Sequence, residues 1–198
     1  MGLDLDYITG QTPLDEDEKE GLLIGTISTR AELNEFEQAN IVDAVEWTLR
    51  NRFTKEQILT EEFLLLVHRK MFSEVWEWAG TIRKSNKNIG VDKFQIPAVL
   101  KQLIDDCLYW IEHRTYDPDV IVIRFSHRIV KIHVFPNGNG RHSRLIADIM
   151  ISNIFKRSVF TWGRSDLSEK GIIRNEYLEA LYAADDGNIE PLVDFARK

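Results

Sequence analysis

The chain has 198 residues, a formal net charge of -7, and 43% hydrophobic and 29% charged residues, which suits one globular domain or one domain with a short extension. That charge argues against broad binding to nucleic acid or an anionic membrane surface, and no apolar run is long enough to span a bilayer. A single cysteine, Cys107, rules out an intrachain disulfide framework and suits a reducing compartment.

Residues 1–28 carry Gly10, Pro13, an acidic cluster from Asp15 to Glu20, Gly21 and Gly25, and read as an irregular N-terminal arm that packs over the body. The first ten residues lack the basic and apolar regions of a signal peptide, and Asp6 stands where myristoylation wants Ser or Thr. A cytoplasmic protein is expected.

The remainder, residues 29–198, reads as one domain. Thr29 and Glu32 have capping-box spacing, and Leu33, Phe36, Ile41, Val45 and Leu49 predict a helix over 29–50. Thr54 with Gln57 repeats the signal, and Phe63, Leu64, Leu66, Val67 and Phe72 predict a helix over 61–74. Trp76 and Trp78 then read as core and interface filler. Residues 84–96 lose the helical period and set Gly90 between Ile89 and Val91, predicting a small β-hairpin with an exposed edge. Pro97 opens a helix to about His113, whose run Leu103, Ile104, Cys107, Leu108 and Ile111 makes Cys107 core filler.

Asp117 as N-cap and Pro118 as first helical residue start an apolar helix ending near His133. Leu145, Ile146, Ile149 and Ile151 mark another, starting just after the glycines at 138 and 140. Beyond a polar connector over 157–168, helices are expected over 168–184 and 191–197, with Tyr177 and Tyr182 read as core packing in preference to the walls of an adenine pocket.

Residues 133–144, His-Val-Phe-Pro-Asn-Gly-Asn-Gly-Arg-His-Ser-Arg, interrupt two apolar helices with two glycines, two asparagines and a proline. A loop turning this tightly into a helix N-terminus presents unpaired backbone N–H groups and the positive end of the helix dipole. With Arg141 and Arg144 following at i and i+3, it makes an anion site, with phosphate the best candidate, and His133 at its entrance can act as a general base. His68, His113, His127 and His142 have no ligand-like spacing, so no zinc site is expected.

This stretch resembles the Fic/Doc signature H-x-F-x-(D/E)-G-N-G-R-x-x-R, and His68-Arg69-Lys70-Met71-Phe72 with Trp78-Ala79-Gly80-Thr81-Ile82-Arg83 resembles the family's upstream H-R-x-x-F and W-A-G-x-x-R segments. The resemblance implies an all-α Fic-fold bundle of seven or eight helices with a small β-hairpin flap. It implies a protein adenylyltransferase that moves AMP from ATP to a Tyr, Ser or Thr hydroxyl, on another protein or on itself. In it, His133 would be the catalytic base. Gly138, Asn139, Gly140, Arg141 and Arg144 would bind the ATP phosphates, and Ile89, Gly90 and Val91 in the flap would hold the target segment.

The family usually has an acidic residue where Asn137 stands, and that residue helps hold Mg²⁺ between ATP phosphates. An amide oxygen carries much less charge for a hard cation, so Asn137 would be a weak metal ligand. A non-catalytic nucleotide- or protein-binding module, or transfer of another phosphate-linked group, stays open as the alternative. Many members also carry an inhibitory helix, S/T-x-x-x-E-G/N, whose glutamate pairs with the second signature arginine. The helix over 29–50 offers Glu37 in that role, paired with Arg144, with Leu33 and Gln38 departing from the pattern. Thr29-Arg30-Ala31-Glu32-Leu33-Asn34 and Glu37-Gln38-Ala39-Asn40-Ile41 further resemble the Fic subgroup called mobile mystery protein B, which implies a small helix-turn-helix partner protein. Neither a membrane nor direct nucleic-acid contact is implied.

Overall fold

Ile121, Val122, Ile123, Phe125, Ile129 and Ile132 leave the helix that carries them little face for water, and that helix, Pro118–Ile132, is the buried centre of the protein. In the computed structural model, which describes residues 12–164 and 171–198, it is the sixth of nine α-helices among those residues. In chain order these are α1 (Glu16–Glu20), α2 (Arg30–Arg50), α3 (Lys55–Ile58), α4 (Glu61–Phe72), α5 (Ile96–Glu112), α6 (Pro118–Ile132), α7 (Asn139–Asn153), α8 (Ile172–Asp185) and α9 (Glu190–Arg197). The region expected as a connector and helix start at 165–170 lies outside the described residues.

The helix-start signals in the sequence are met by geometry. Thr29 and Glu32, and Thr54 and Gln57, form reciprocal capping boxes, and the Asp117 carboxylate accepts the Asp119 N–H at 2.9 Å. α6 packs lengthwise on α7 and α5, and its far end meets α9. Cys107 is buried in this core, its thiol pushed up to about 12 by desolvation. Each fully buried Ile or Leu here contributes roughly 2 kcal/mol of transfer free energy.

Helix α2 buries Leu33 and packs Ile41 and Val45 against the core as its apolar spacing marks, but polar residues complete its buried face in place of Phe36 and Leu49. Leu33, Glu37, Asn40, Ala44 and Thr48 are buried, whereas Phe36 and Leu49 stand 45% and 69% exposed. The reason lies in the neighbouring helix and the loop beyond it: Asn40 Nδ2 donates to the Lys70 carbonyl at 3.1 Å, and Asn40 Oδ1 accepts the Glu74 N–H at 3.0 Å. Paired polar groups thus set the rotation of α2 against α4.

The expected hairpin over 84–96 is not formed. Among the described residues the only β pairing is an isolated bridge between Leu22 and Trp76, and 84–92 is a loop closed by a short 3₁₀ turn at Lys93–Gln95. The buried Arg83 guanidinium explains this, because it binds the carbonyls of Ser85 and Val91 that a hairpin would use in its own ladder. The N-terminal arm, expected to be irregular, contains the short helix α1 and packs on the loop.

Candidate active site

The signature loop sits where α6 ends and α7 begins. α6 stops at His133, which adopts a left-handed conformation at φ 58°, and the chain then turns through Pro136 to Gly138 at φ 76°. Left-handed backbone is strained for a residue with a Cβ, by about 1–2 kcal/mol, so His133 needs outside support. Arg83 supplies it. Its Nε donates to the His133 carbonyl at 2.6 Å, its backbone N–H donates to the Val134 carbonyl at 3.0 Å, and its Nη1 donates to the Ser85 carbonyl at 2.6 Å.

His133 is 4% exposed, and both its ring nitrogens are buried without a hydrogen-bond partner among the described residues. Burial, assisted by the nearby Arg83 charge, lowers its pKa to about 4. The imidazole is therefore neutral at pH 7 and able to accept a proton. Gly90 lies against the root of this side chain: a Cβ at Gly90, where φ is 101°, would stand 2.6 Å from the His133 Cβ. The Val91 N–H donates to the Ile132 carbonyl at 3.3 Å, while Ile89 remains 45% exposed. The loop of Ile89, Gly90 and Val91 thus flanks the base, though without strand geometry.

α7 starts at Asn139, earlier than the sequence pattern predicts, so that Gly140, Arg141 and Arg144 all lie in its first turns. Gly138 has no room for another side chain, since a Cβ there would be 2.6 Å from the Phe72 ring. Gly140 is open: the nearest atom to a Cβ there is Arg144 Nη1 at 3.6 Å. Asn139 turns its buried side chain back to close the loop, accepting from the Phe135 N–H at 3.0 Å and donating to the Phe135 carbonyl at 2.8 Å. Only its backbone N–H is left to serve an anion.

Glu37 does reach the signature, but at Arg141 instead of Arg144. Its Oε2 lies 2.6 Å from Arg141 Nη1, its Oε1 accepts the Trp76 Nε1–H at 2.6 Å, and the residue is 3% exposed. Arg141 also lies over the Phe72 ring at 4.9 Å. Arg144 makes no ion pair among the described residues and rests over the Tyr177 ring at 5.5 Å. Tyr177 is buried 5.4 Å from Phe195, as its core reading predicts, whereas Tyr182, expected in the core with it, is 56% exposed.

Asn137, expected as a weak metal ligand, has both ends of its amide engaged. Its Oδ1 accepts the Gly138 N–H at 2.7 Å and faces Arg141 Nη2 at 3.4 Å, and its Nδ2 donates to the Thr12 carbonyl at 3.1 Å. No group of three or more potential metal-ligating side chains occurs among the described residues. This donor set does not fit a protein-held Mg²⁺. A polyphosphate does fit, given two arginines, the open Gly140 and the start of α7.

Two supporting residues were visible in the sequence as motif members but had no assigned task. One is Arg83. The other is His68, which is fully buried; its Nδ1 accepts the Gly80 N–H at 2.9 Å, which leaves Nε2 to donate to the Asn137 carbonyl at 3.0 Å. Its ring stacks on Phe135 at 3.7 Å, and burial holds its pKa well below the usual histidine range. His142, also fully buried, donates through Nε2 to the Leu64 carbonyl at 2.9 Å and is lowered to about 4 by desolvation.

Residues 58–151 match the model of the Fic/DOC family. Over 145 residues, the chain is 25% identical to "Protein adenylyltransferase Fic" of Aedes aegypti; the match covers 71% of this chain and spans 28% of that protein's length. The fold is similar to that of BepC from Bartonella tribocorum, solved with bound AMPPNP, at 20% identity and a TM-score of 0.66 over 91% of this chain and 95% of that one. Fic-1 from C. elegans is similar at 21% identity and a TM-score of 0.65, over 90% of this chain and 50% of that one. Among the described residues no helix is long and apolar enough to cross a membrane.

Proposed function

Because the chain carries a Fic/DOC family domain, we propose that it transfers AMP from ATP to a Tyr, Ser or Thr hydroxyl of a protein, itself included. The observation that carries this reading is the neutral, unpartnered His133 imidazole, whose Cβ lies against Gly90 at the head of the loop that leads into the arginine-bearing start of α7. An unsatisfied buried imidazole is costly for a fold that does not use it.

His133 takes the proton of the target hydroxyl. The hydroxyl oxygen attacks the α-phosphorus of ATP, the bond to the bridging oxygen breaks, and pyrophosphate leaves with that electron pair. Arg141, Arg144 and the first N–H groups of α7 hold the phosphates and meet the charge that develops on them. Glu37 is the brake: its carboxylate occupies Arg141 as a phosphate oxygen would, so nucleotide and Glu37 compete for one guanidinium.

The test is incubation with ATP labelled on the α-phosphate, comparing the parent, Glu37→Gly and His133→Ala. Label on protein that rises with Glu37→Gly and disappears with His133→Ala supports adenylyl transfer. No label in any of the three, or in a cell lysate, combined with retained ATP binding favours a nucleotide-binding module; the engaged Asn137 amide is the observation on that side.

A further inference from the structure

We infer that the loop over 84–93 is built to receive an acidic segment, and that residues 12–20 of this chain occupy it as an internal mimic of the target. This rests on the reading that Ile89, Gly90 and Val91 dock the protein to be modified. The central observation is Lys87, whose side chain is only 3% exposed although it lies in a loop. Its Nζ is 2.9 Å from Asp15 Oδ2, pairs with Glu18 Oε2 and lies 3.4 Å from the Pro13 carbonyl, so the arm takes all three ammonium hydrogens. Ser85 Oγ adds a hydrogen bond to Glu18 Oε1 at 3.3 Å.

Charge complementarity extends beyond this one residue. The loop carries Lys84, Lys87 and Lys93 against Asp92 in a protein of net charge -7, while the arm presents Asp15, Glu16, Asp17 and Glu18 in a row. A buried ammonium left without a carboxylate is strongly destabilising. A segment that takes the place of the arm and covers Lys87 again must therefore bring a carboxylate of its own, and that requirement selects acidic targets.

The arm is attached in two different ways. Backbone pairing holds residues 21–23, with the Leu23 N–H donating to the Val75 carbonyl at 2.9 Å and the Glu77 N–H donating to the Gly21 carbonyl at 2.8 Å. Residues 12–20 rest on the Leu14 side chain, which is buried in the core at 5% exposure, and on the Lys87 pairs, the Ser85 bond, the Trp78 Nε1–H donating to the Glu18 carbonyl at 2.9 Å, and the Asn137 amide on the Thr12 carbonyl. Their release leaves 21–23 in place. It frees Lys87 and the Asn137 amide together, so an acidic target segment replaces the arm on the loop beside His133. An aspartate at 137 could not donate that hydrogen bond, which gives the amide a task in this chain.

The test uses the full chain and a fluorescent nonapeptide of residues 12–20, without nucleotide. Asp15→Lys combined with Glu18→Lys, which releases the arm, should bind the peptide at least tenfold more tightly than the parent, whose own arm competes at high effective concentration. Adding Lys87→Glu should abolish binding, and a peptide with Asn and Gln for its four leading acids should lose at least tenfold. Equal binding by parent and variant, or by acidic and neutral peptides, overturns the proposal.

Should the released variant fail to fold, hydrogen exchange decides. Protection of residues 12–20 should be lost in Glu18→Lys and in Lys87→Glu, and regained in the charge-swapped double variant; no recovery in the swap overturns it. Because the peptide assay contains no ATP, its failure and a failure of adenylyl transfer are read separately.

Discussion

Glu37 of α2 and Arg141 of α7, 104 positions apart in the chain, are joined by an ion pair of 2.6 Å that is completed on the Glu37 side by the Trp76 indole. The pair puts a carboxylate on one of the two cations that the proposed reaction needs for phosphate. Glu37→Gln keeps an oxygen for Trp76 while removing the charge, and Glu37→Gly removes both. Either should raise α-phosphate labelling about tenfold or more, the range given by losing one charge-assisted contact of roughly 1.5–3 kcal/mol. Unchanged labelling in both variants would show that Glu37 is a structural partner of Trp76 alone.

His133→Ala should lower transfer by about 10²- to 10⁴-fold, the usual contribution of a positioned base. Because burial lowers His133 to about 4, its neutral form predominates from pH 5 upward. Single-turnover transfer limited by this base should therefore stay flat between pH 5.5 and 8, within the range where the fold holds. An inflection near 6.5 would mean that the ring is solvated when the target is bound.

Folding stability, by contrast, should depend on pH. Burial lowers His68, His133 and His142 from the ordinary histidine value of 6.5, His133 and His142 to about 4. Above 6.5 these rings are neutral folded and unfolded, so they add no slope. Below it the unfolded chain binds protons that the folded rings refuse, and this contribution, opposed by the single Asp148 carboxyl that burial raises to about 7, lowers stability as pH drops from 6.5 toward 4. Melting temperatures at pH 7.5, 6 and 5 check this. His142→Gln should reduce the slope by about one proton.

The two signature glycines should respond oppositely to alanine. Gly138→Ala combines a φ of 76° with a 2.6 Å approach to Phe72, and should cost about 2–4 kcal/mol in a denaturation curve. Gly140→Ala meets only Arg144 Nη1 at 3.6 Å, within a helix, and should leave stability unchanged or raise it by up to about 1 kcal/mol. It should still weaken ATP binding, measured by calorimetry, because the methyl intrudes where phosphate would approach.

Arg83→Lys should be far from conservative. A lysine cannot span the carbonyls of Ser85, Val91 and His133 together. We expect a loss of about 2–4 kcal/mol and faster hydrogen exchange at Val91, with nucleotide binding retained and transfer reduced. Unaltered exchange at residues 84–92 would show that the loop is held by other contacts.

Local chemistry in the chain was enough to place the helix caps, the apolar helices around Phe125 and Ile149, and the loop of 133–144. Caps and hydrophobic periodicity act over a few residues, and the spacing of His133, Gly138, Arg141 and Arg144 is itself contiguous. Tertiary packing decided the rest. Apolar spacing in α2 marked Phe36 and Leu49, yet the buried face is the one whose Glu37 and Asn40 find partners in Trp76, Arg141, Lys70 and Glu74. The apolar run at 89–91 suggested a hairpin, yet one buried guanidinium from Arg83 took the carbonyls that strands would have paired.

Which arginine Glu37 meets, and that Asn137 holds Thr12, depend on groups about a hundred residues apart. No local pattern encodes such distances. They are set by the requirement that every buried charge and amide find a partner once the helices have packed.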